Sequence, residues 1–447
     1  MGFLVKNYRV IGFPIGHSMS PFIHKELFNL KGFSADYDKM EISPENLVAE
    51  FDATLKKLDG FNVTIPHKVE IIKYLDRLDA SAEEYGAVNV VANQNGKYIG
   101  YNTDAYGFLA GLRISGIALQ GKVLVYGYGG AARTIITEAL KAGCNVTIGT
   151  TKQFLEGAVP VASEFGKKFG KEIKILTDEE ITGHYNLLVN ATPLGMYPKI
   201  DAMPLDDAKI DLMDAVYDIV YNPEETMLLR RAKEKGKKCG GGLSMLVAQA
   251  AKAHEYFYGA SFSETEVLEI IEKTAAEQER IFKKNNLVLC GFMGSGKTTV
   301  GTALSERLGM ELIDTDAEIE KRENRTIAEI FEREGEPYFR RKETELIKEL
   351  MTKENCVISL GGGLAANKEN HPYLRLLGKV ILLDCGIEET LKRIENDPSR
   401  PLTAKGKDDI IARYNMRAPI YEEVADHIVD SGIGCEKTLN IIINLAI

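Results

Sequence analysis

Two stretches of this 447-residue chain share one layout: VLVYGYGGAARTI at 123–135 and LVLCGFMGSGKTTVG at 287–301. Each reads as a short apolar strand, a glycine-rich turn and the start of a helix. Around them, β-branched runs such as YRVIGF, NVTIG, YNLLVNAT, CVISLGG and KVILLD alternate with helical stretches. Strands and helices alternating in this way predict parallel sheets covered by helices, an α/β class. A domain usually holds roughly 100–200 residues, so about two to four are expected.

The clearest boundary falls near residue 285. SFSETEVLEIIEKTAAEQERIFKKNN reads as one helix: Ser263 and Glu266 have capping-box spacing, and Val267, Ile270, Ile271 and Thr274 share a face. Lys283 and Lys284 suit the negative end of the helix dipole, and Asn285-Asn286 interrupts the pattern. Residues 285–447 therefore form one predicted domain. The earlier part divides into 1–103 with 242–284, and 104–241, which holds the first glycine turn.

A net charge of −10 without a basic run argues against nucleic-acid and membrane-surface partners. No apolar run approaches the ~20 residues of a membrane span. The six cysteines form no C-x-x-C pair and suit reduced thiols of a cytoplasmic protein rather than a zinc site. The start, MGFLVKNYRVIGF, has no signal-peptide core and reads as a first strand.

In the second turn, Gly291, Gly296, Lys297 and Thr298 satisfy G-x-x-x-x-G-K-[ST]. Glycines let the backbone N–H groups of Gly294, Ser295, Gly296 and Thr299 face phosphate oxygens, Lys297 adds charge, and the Thr298 hydroxyl can hold Mg²⁺. LIDTDAEIE puts Asp314 and Asp316 on one face if the strand continues, one for a metal shell and one for a substrate hydroxyl. EPYFRRKETE offers Arg340 and Arg341, with Glu343 spaced to hold an arginine. SLGGGLA leaves bare backbone at Gly361, Gly362 and Gly363. ENDPSRPLTAKG reads as a closing lid with Arg400, and YNMRAPIYEEVA supplies Arg417. Guanidinium forks suit a carboxylate substrate.

In order, GxxxxGKT, DTD, FRxxE, GGG, RPL and RAPxY make residues 287–447 resemble shikimate kinase. The resemblance implies that Asp316, Arg340, Gly361–Gly363 and Arg417 hold shikimate. Lys297, Thr298 and Asp314 would serve the ATP phosphates and Mg²⁺, Arg400 would close over the transferring phosphoryl, and Arg393 would lie near adenine. Asp316 would polarise the attacking hydroxyl.

In the first turn, Gly127, Gly129, Gly130 and Ala131 precede Ala132, which fills the last place of G-x-G-x-x-G/A. An NAD site expects an acid about 20 residues on. Here TIGTTKQ has none, and Thr150, Thr151 and Lys152 favour a 2′-phosphate and hence NADP. GFPIGHSMSPFIHKE sets Ser18 and Ser20 beside a Pro21-started helix, a place for a carboxylate. GFNVTIPHKVE supplies Thr64 and Lys68, and GYNTDAYGF supplies Asn102, Thr103 and Asp104. Reducing a ketone requires hydride on carbon and a proton on oxygen, which a lysine steered by an aspartate can deliver. His17, His24 and His67 carry no spacing signal and read as structural.

GFPIGHSxSPxxH, NVTIPHK, GAVN, NTDxxGF, GxGGAA, NATPxGM, VYDxVYNPxxT and MLVxQA make residues 1–284 resemble shikimate dehydrogenase. The resemblance implies that Ser18, Ser20, Thr64, Asn89, Asp104, Tyr221 and Gln249 hold substrate and that Lys68 and Asp104 are the catalytic pair. Gly127, Gly129, Gly130, Ala131, Asn190, Thr192 and Met196 would line the cofactor. Two places depart from the family. Gly149-Thr150-Thr151 stands where Asn-Arg-Thr is usual, and Tyr128 replaces a small residue between the glycines, its ring either crowding the pyrophosphate or stacking near the cofactor.

The expected protein is therefore a fusion: an α/β substrate domain plus a Rossmann NADP domain, followed by a P-loop kinase domain with a parallel sheet. It would reduce 3-dehydroshikimate with NADPH, then phosphorylate shikimate with ATP and Mg²⁺, in the cytoplasm, with small molecules as partners and a homodimer left open. The alternatives are a quinate/shikimate dehydrogenase using NAD and a kinase-like domain that binds ATP without turnover.

Overall fold

The apolar runs form three sheets in the computed structural model, which describes residues 5–16, 18–395 and 406–446. Two sheets lie in the unit Met1–Gln278 and one in the unit Glu279–Ile447. The division falls inside the helix Glu264–Phe282 rather than at 285. Residues just beyond that helix already bond within the second unit: Lys283 pairs with Asp426 at 2.7 Å, and Lys284 N–H donates to the Leu376 carbonyl. Asn286 is more than a helix breaker, because its amide donates to the Lys353 and Leu377 carbonyls and accepts from Cys356 N–H. The expected capping box is present, with Glu266 N–H donating to Ser263 Oγ and Ser263 N–H to Glu266 Oε2.

The first sheet holds β1 (Lys6–Gly12), β2 (Ala35–Glu41), β3 (Gly60–Val63), β4 (Arg77–Leu78), β5 (Val90–Gln94) and β6 (Lys97–Tyr101), in the order β2-β1-β3-β5-β6-β4. It is mixed rather than parallel, because β5 runs antiparallel to both β3 and β6. The cause is local: Asn95 (φ 55°) and Gly96 (φ 84°) are both left-handed, the two-residue turn that matches strand twist in a hairpin. Ile11, Phe61, Val63 and Val91 bury one face under Leu47, Phe51 and Ile71. On the other face, Tyr8 and Val10 meet Phe28 and Tyr37.

The second sheet holds β7 (Lys122–Tyr126), β8 (Asn145–Thr150), β9 (Lys174–Thr177), β10 (Tyr185–Asn190), β11 (Met213–Asp218) and β12 (Lys238–Gly241), all parallel, in the order β12-β11-β10-β7-β8-β9. Read from β9, this is the doubly wound 3-2-1-4-5-6 order, whose ligand crevice lies at the strand reversal beside β7. Both faces are covered, so the central strands are continuous apolar runs rather than alternating ones.

The helix Gly242–Tyr258 returns to the first sheet: Ala253 packs with Val90, Ala92 and Ile99, and Tyr256 stacks on Tyr101. It also lies against the helix Asp104–Ile114 so closely that a Cβ at Gly107 would sit 2.7 Å from the Met245 carbonyl. A larger residue at Gly107 would cost about 1–3 kcal/mol in overpacking. In the second unit, β13 (Leu287–Cys290), β14 (Glu311–Asp314), β15 (Cys356–Ser359), β16 (Lys379–Asp384) and β17 (His427–Asp430) form a parallel sheet ordered β14-β15-β13-β16-β17. Leu287, Leu289, Val357, Ile381 and Val429 pack with Val300 and Leu304 of the helix Lys297–Leu308.

Candidate active sites

In the first unit, Lys68 follows β3 and Asp104 opens the helix Asp104–Ile114. Lys68 Nζ donates to Asp104 Oδ2 at 2.6 Å, with side chains 29% and 14% exposed. This partial burial makes the pair stronger than a surface bridge. Asn89 Nδ2 donates to Asp104 Oδ1 (2.8 Å) and to Gln249 Oε1 (3.1 Å), while Asn89 Oδ1 accepts Thr103 N–H (2.8 Å). Asn102 Oδ1 accepts Asp104 N–H, so Asn102 sets the helix start rather than the chemistry. These groups border a cavity of about 170 Å³ whose walls include Ser20, Thr64, Lys68, Asn89, Asp104, Tyr221 and Gln249.

One of the expected wall residues behaves differently, and one was missed. Ser18 does not line the cavity; its Oγ accepts Ser20 N–H at the helix start. Asn62 does line it, with Oδ1 accepting the Tyr37 hydroxyl and Nδ2 donating to the Asn89 carbonyl. Its signal was the first letter of NVTIPHK, which hydropathy alone reads as strand interior. His17 lies outside the described residues. His24 and His254 share a bond of 2.8 Å in the core, and burial lowers the His24 imidazole to about 3. His67 is buried and donates to the Ile42 carbonyl.

The first glycine turn leaves β7 at the strand reversal. Gly127 has φ 110°, and a Cβ there would meet Thr192 Cγ2 at 2.8 Å. Nothing lies within 4 Å of a Cβ built at Gly129 or Gly130, so bare backbone and the N-terminus of the helix Gly130–Lys141, beginning at Gly130-Ala131, face open space. That arrangement fits a pyrophosphate.

Asn190 is fully buried and brackets the loop that follows β10. It donates to the Asp218 carboxylate and the Leu194 carbonyl, and accepts from Thr192 N–H and hydroxyl. Burial pushes Asp218 up to about 6, although Thr226, Val220 and Asn190 all donate to it. Met196 stands exposed in the following loop. Thr150 is buried, and Lys152 pairs with Glu179 at 2.8 Å with both side chains over 70% exposed. Such a surface pair is weak and leaves the ammonium available. The Tyr128 ring lies against Gly157, where a Cβ would be 2.5 Å from its hydroxyl, and so leans away from crowding the turn.

The second unit encloses a cavity of about 970 Å³ lined by Gly294, Ser295, Gly296, Lys297, Thr298 and Thr299, by Asp314, Asp316, Arg340, Gly362 and Gly363, and by Arg393 and Arg417. A Cβ at Gly291 would sit 2.4 Å from the Leu383 carbonyl, so only glycine lets the loop leave β13 here. Lys297 Nζ donates to the Gly291 and Phe292 carbonyls, curled over the loop. Ser295 Oγ and Ser431 Oγ are buried on the wall without hydrogen-bond partners, which fits a polar ligand. Arg393 donates to the Gly294 and Ser431 carbonyls and so ties the loop to the end of β17.

Asp314 and Asp316 do not share a strand face. Asp314 ends β14 and caps the helix Thr315–Glu323, its carboxylate accepting Asp316 N–H and Ala317 N–H. Its other oxygen lies 3.4 Å from the Thr298 hydroxyl, a hard-oxygen pair that suits Mg²⁺ together with phosphate oxygens. Among the described residues, no group of three His, Cys, Asp or Glu is placed to hold a metal.

Burial, with Asp314 beside it, raises the Asp316 carboxyl, while Lys297 and Arg340 draw it down. A Cβ at Gly361 would meet Asp316 Oδ1 at 2.1 Å, so backbone takes the place of a side chain there. Arg340 Nη1 donates to Glu343 at 2.7 Å, as the spacing predicted, and burial pushes Glu343 up to about 7. Arg417 Nη1 and the Tyr421 hydroxyl both donate to the Gly362 carbonyl. Arg341 does not line the cavity and lies over the Tyr338 ring. Arg400, with the rest of its expected lid, lies outside the described residues.

Comparison with known proteins finds relatives of both units. The family model described as shikimate dehydrogenase substrate binding domain matches residues 10–91, and that described as shikimate kinase matches residues 293–445. The chain is 41% identical over 255 residues to the shikimate dehydrogenase (NADP(+)) of Methanocaldococcus jannaschii, covering 56% of this chain and 90% of that protein. Among solved structures it is similar to the shikimate 5-dehydrogenase of Thermus thermophilus in complex with NADP(H) and shikimate (TM-score 0.54, 32% identity, 60% of this chain and 100% of that one). It is also similar to a chorismate mutase/shikimate 5-dehydrogenase fusion protein from Clostridium acetobutylicum (TM-score 0.57, 32% identity, 62% and 100%). The chain belongs to the shikimate dehydrogenase family, and a shikimate kinase domain is joined to it in the same polypeptide.

Proposed function

We propose that the first unit reduces 3-dehydroshikimate to shikimate with NADPH and that the second phosphorylates shikimate with ATP. NADPH supplies the hydride, ATP the phosphoryl group, and Mg²⁺ neutralises phosphate charge. As the ketone carbon gains hydride, negative charge grows on its oxygen, and Lys68 Nζ delivers the proton there. Asp104 holds the ammonium in place, and Asn89 and Gln249 fix Asp104 and the ring hydroxyls. Ser20, Thr64 and Tyr221 complete the substrate wall.

In the second unit, Asp316 accepts a hydrogen bond from the attacking hydroxyl. Arg340 and Arg417 grip the substrate carboxylate beside the Gly361–Gly363 backbone. Lys297 and the loop N–H groups hold the phosphates, with Thr298 and Asp314 on Mg²⁺ and Arg393 beside the base.

The observation that carries this reading is the Lys68–Asp104 contact of 2.6 Å, in a chain that separately gathers Lys297, Asp316, Arg340 and Arg417 around one cavity. The NADP(+) named for the relative and the NADP(H) and shikimate named for the Thermus complex support the choice of cofactor and substrate. Thr150, Thr151 and Lys152 take the 2′-phosphate in this reading.

The partners are small molecules rather than nucleic acids, which a net charge of −10 supports. The setting is cytoplasmic, which the six free cysteines support. No helix of the described residues is long and apolar enough to cross a membrane.

Separability tests the assignment. Lys68→Ala removes NADPH-dependent reduction and leaves shikimate-dependent ADP release intact; Lys297→Ala does the reverse. A Lys68→Ala protein that still reduced 3-dehydroshikimate at a near-normal rate would remove Lys68 from the chemistry.

A further inference from the structure

Arg340 holds two carboxylates of opposite character. Glu343 is 1% exposed and accepts from Nη1, while Glu336 is 63% exposed and its Oε1 accepts from both Nε (3.1 Å) and Nη2 (2.6 Å). Glu336 therefore fills the Nε/Nη2 edge, one of the two guanidinium edges able to receive a carboxylate through parallel bonds. The backbone of Gly363 backs the opposite nitrogen so tightly that a Cβ there would reach Nη1. Both Glu336 and Arg340 line the cavity that also contains Arg413 and Arg417. Those two cations add to Arg340 in holding the Glu336 carboxyl below the usual range, so it is an anion facing a cluster of cations. It sits in the first turn of the helix Glu336–Leu350, where its exposed side chain is free to swing to water, whereas Glu343 is fixed by burial.

We propose that Glu336 is a specificity-determining residue of the kinase site: a resident carboxylate that occupies the Arg340 edge until the carboxylate of the substrate displaces it. The inference rests on the reading that Arg340 and Arg417 receive that carboxylate. Two consequences follow from the exchange. An anionic substrate regains on Arg340 the bonds that Glu336 gives up, so its binding is nearly isoenergetic in hydrogen bonds and is weaker than an empty fork would allow. A neutral analogue cannot replace Glu336 on the fork, so the cavity selects for a carboxylate by competition as well as by attraction.

The test uses the full chain and reads ADP release against shikimate and against its methyl ester, with NADPH oxidation by the first unit as an internal control. Glu336→Gln lowers the KM for shikimate about two- to five-fold, the range of a partly exposed ion pair, with the KM for ATP and the reductase activity unchanged. The gain is absent for the methyl ester, a split that a merely structural role would not produce. Glu336→Asp, with a shorter reach, gives a smaller gain. An unchanged or higher KM for shikimate in Glu336→Gln overturns the proposal, as does an equal gain for acid and ester. Arg340→Ala separates the layers: a KM for shikimate unaffected by that change would mean that the underlying placement of the carboxylate is wrong, whatever Glu336 does.

Discussion

The two cavities face the same small acid with different chemistry. The first is about 170 Å³, and its polar wall consists of amides, hydroxyls and one Lys–Asp pair set among apolar side chains such as Val63, Ile219 and Met245. The second is about 970 Å³, and its wall sets five cations, Lys297, Arg340, Arg393, Arg413 and Arg417, beside the glycine loop and the carboxylates of Asp314, Asp316, Glu336 and Glu343. Moving a hydride and a proton leaves little net charge behind, so a neutral polar wall around one steered ammonium suffices. Moving a phosphoryl group gathers several negative charges in one place, and only fixed cations and N–H groups offset them. A carboxylate can thus be bound by hydroxyls in one site and by guanidinium forks in the other, and recognition follows the demands of the reaction rather than of the ligand.

Removing a fork should hurt more than removing an amide. Arg417→Ala should raise the KM for shikimate in phosphorylation on the order of 100-fold, the loss expected of a charge-assisted contact in a partly closed site, with the reductase KM unmoved. A change of only a few-fold would mean that Arg417 mainly supports the Gly362 carbonyl to which it donates. Asn89→Ala frees Asp104 Oδ1 and Gln249 Oε1 at once and should lower kcat/KM for reduction about 10- to 30-fold. A loss as deep as that of Lys68→Ala would instead make Asn89 part of the proton transfer.

Behind the first site lies a titratable bracket bonded only to neutral donors, whereas the raised carboxyl of the second, Glu343, holds a cation, Arg340. Asp218 is raised to about 6 by burial, so the folded state binds its proton more tightly than the unfolded chain does. Its contribution to stability is complete below about pH 4 and is lost as the pH rises through about 6. The urea stability of the wild type minus that of Asp218→Asn should therefore fall between those values, by an amount on the order of 2–3 kcal/mol. Parallel curves would show that Asp218 is not held in this way. The smallest effect is expected at Tyr128. Its ring leans on Gly157, so Tyr128→Ala should change the KM for NADPH by less than about threefold, and a tenfold rise would place the ring on the cofactor.

Much of this contrast was legible in the sequence, because the chemistry sits on short motifs whose spacing is set by a strand, a turn and a helix start. Lys297, Asp316, Arg340 and Arg417 share a cavity as their motifs implied, and Lys68 meets Asp104 although 36 positions separate them. What the spacing could not reveal is which side chain spends its hydrogen bonds internally. Asn190 belongs to a cofactor motif yet uses its whole amide on Asp218, Leu194 and Thr192. Ser18 spends its hydroxyl on the Ser20 N–H, and it is Ser20 that faces the cavity. Asp314 stops a strand that the alternation of DTD suggested would continue, because an aspartate is a stronger helix cap than a strand residue. The antiparallel hairpin β5–β6 was announced by Asn95-Gly96, but the βα rhythm around it masked that turn.

The central claim is that one polypeptide has two separate places for shikimate, and equilibrium titration of the purified chain with shikimate, with NADP⁺ and ADP present, tests it most directly. The account predicts two equivalents bound per chain, of which Arg417→Ala removes one and leaves the reductase-side equivalent in place. A single equivalent in the wild type, or two that both survive Arg417→Ala, would contradict it.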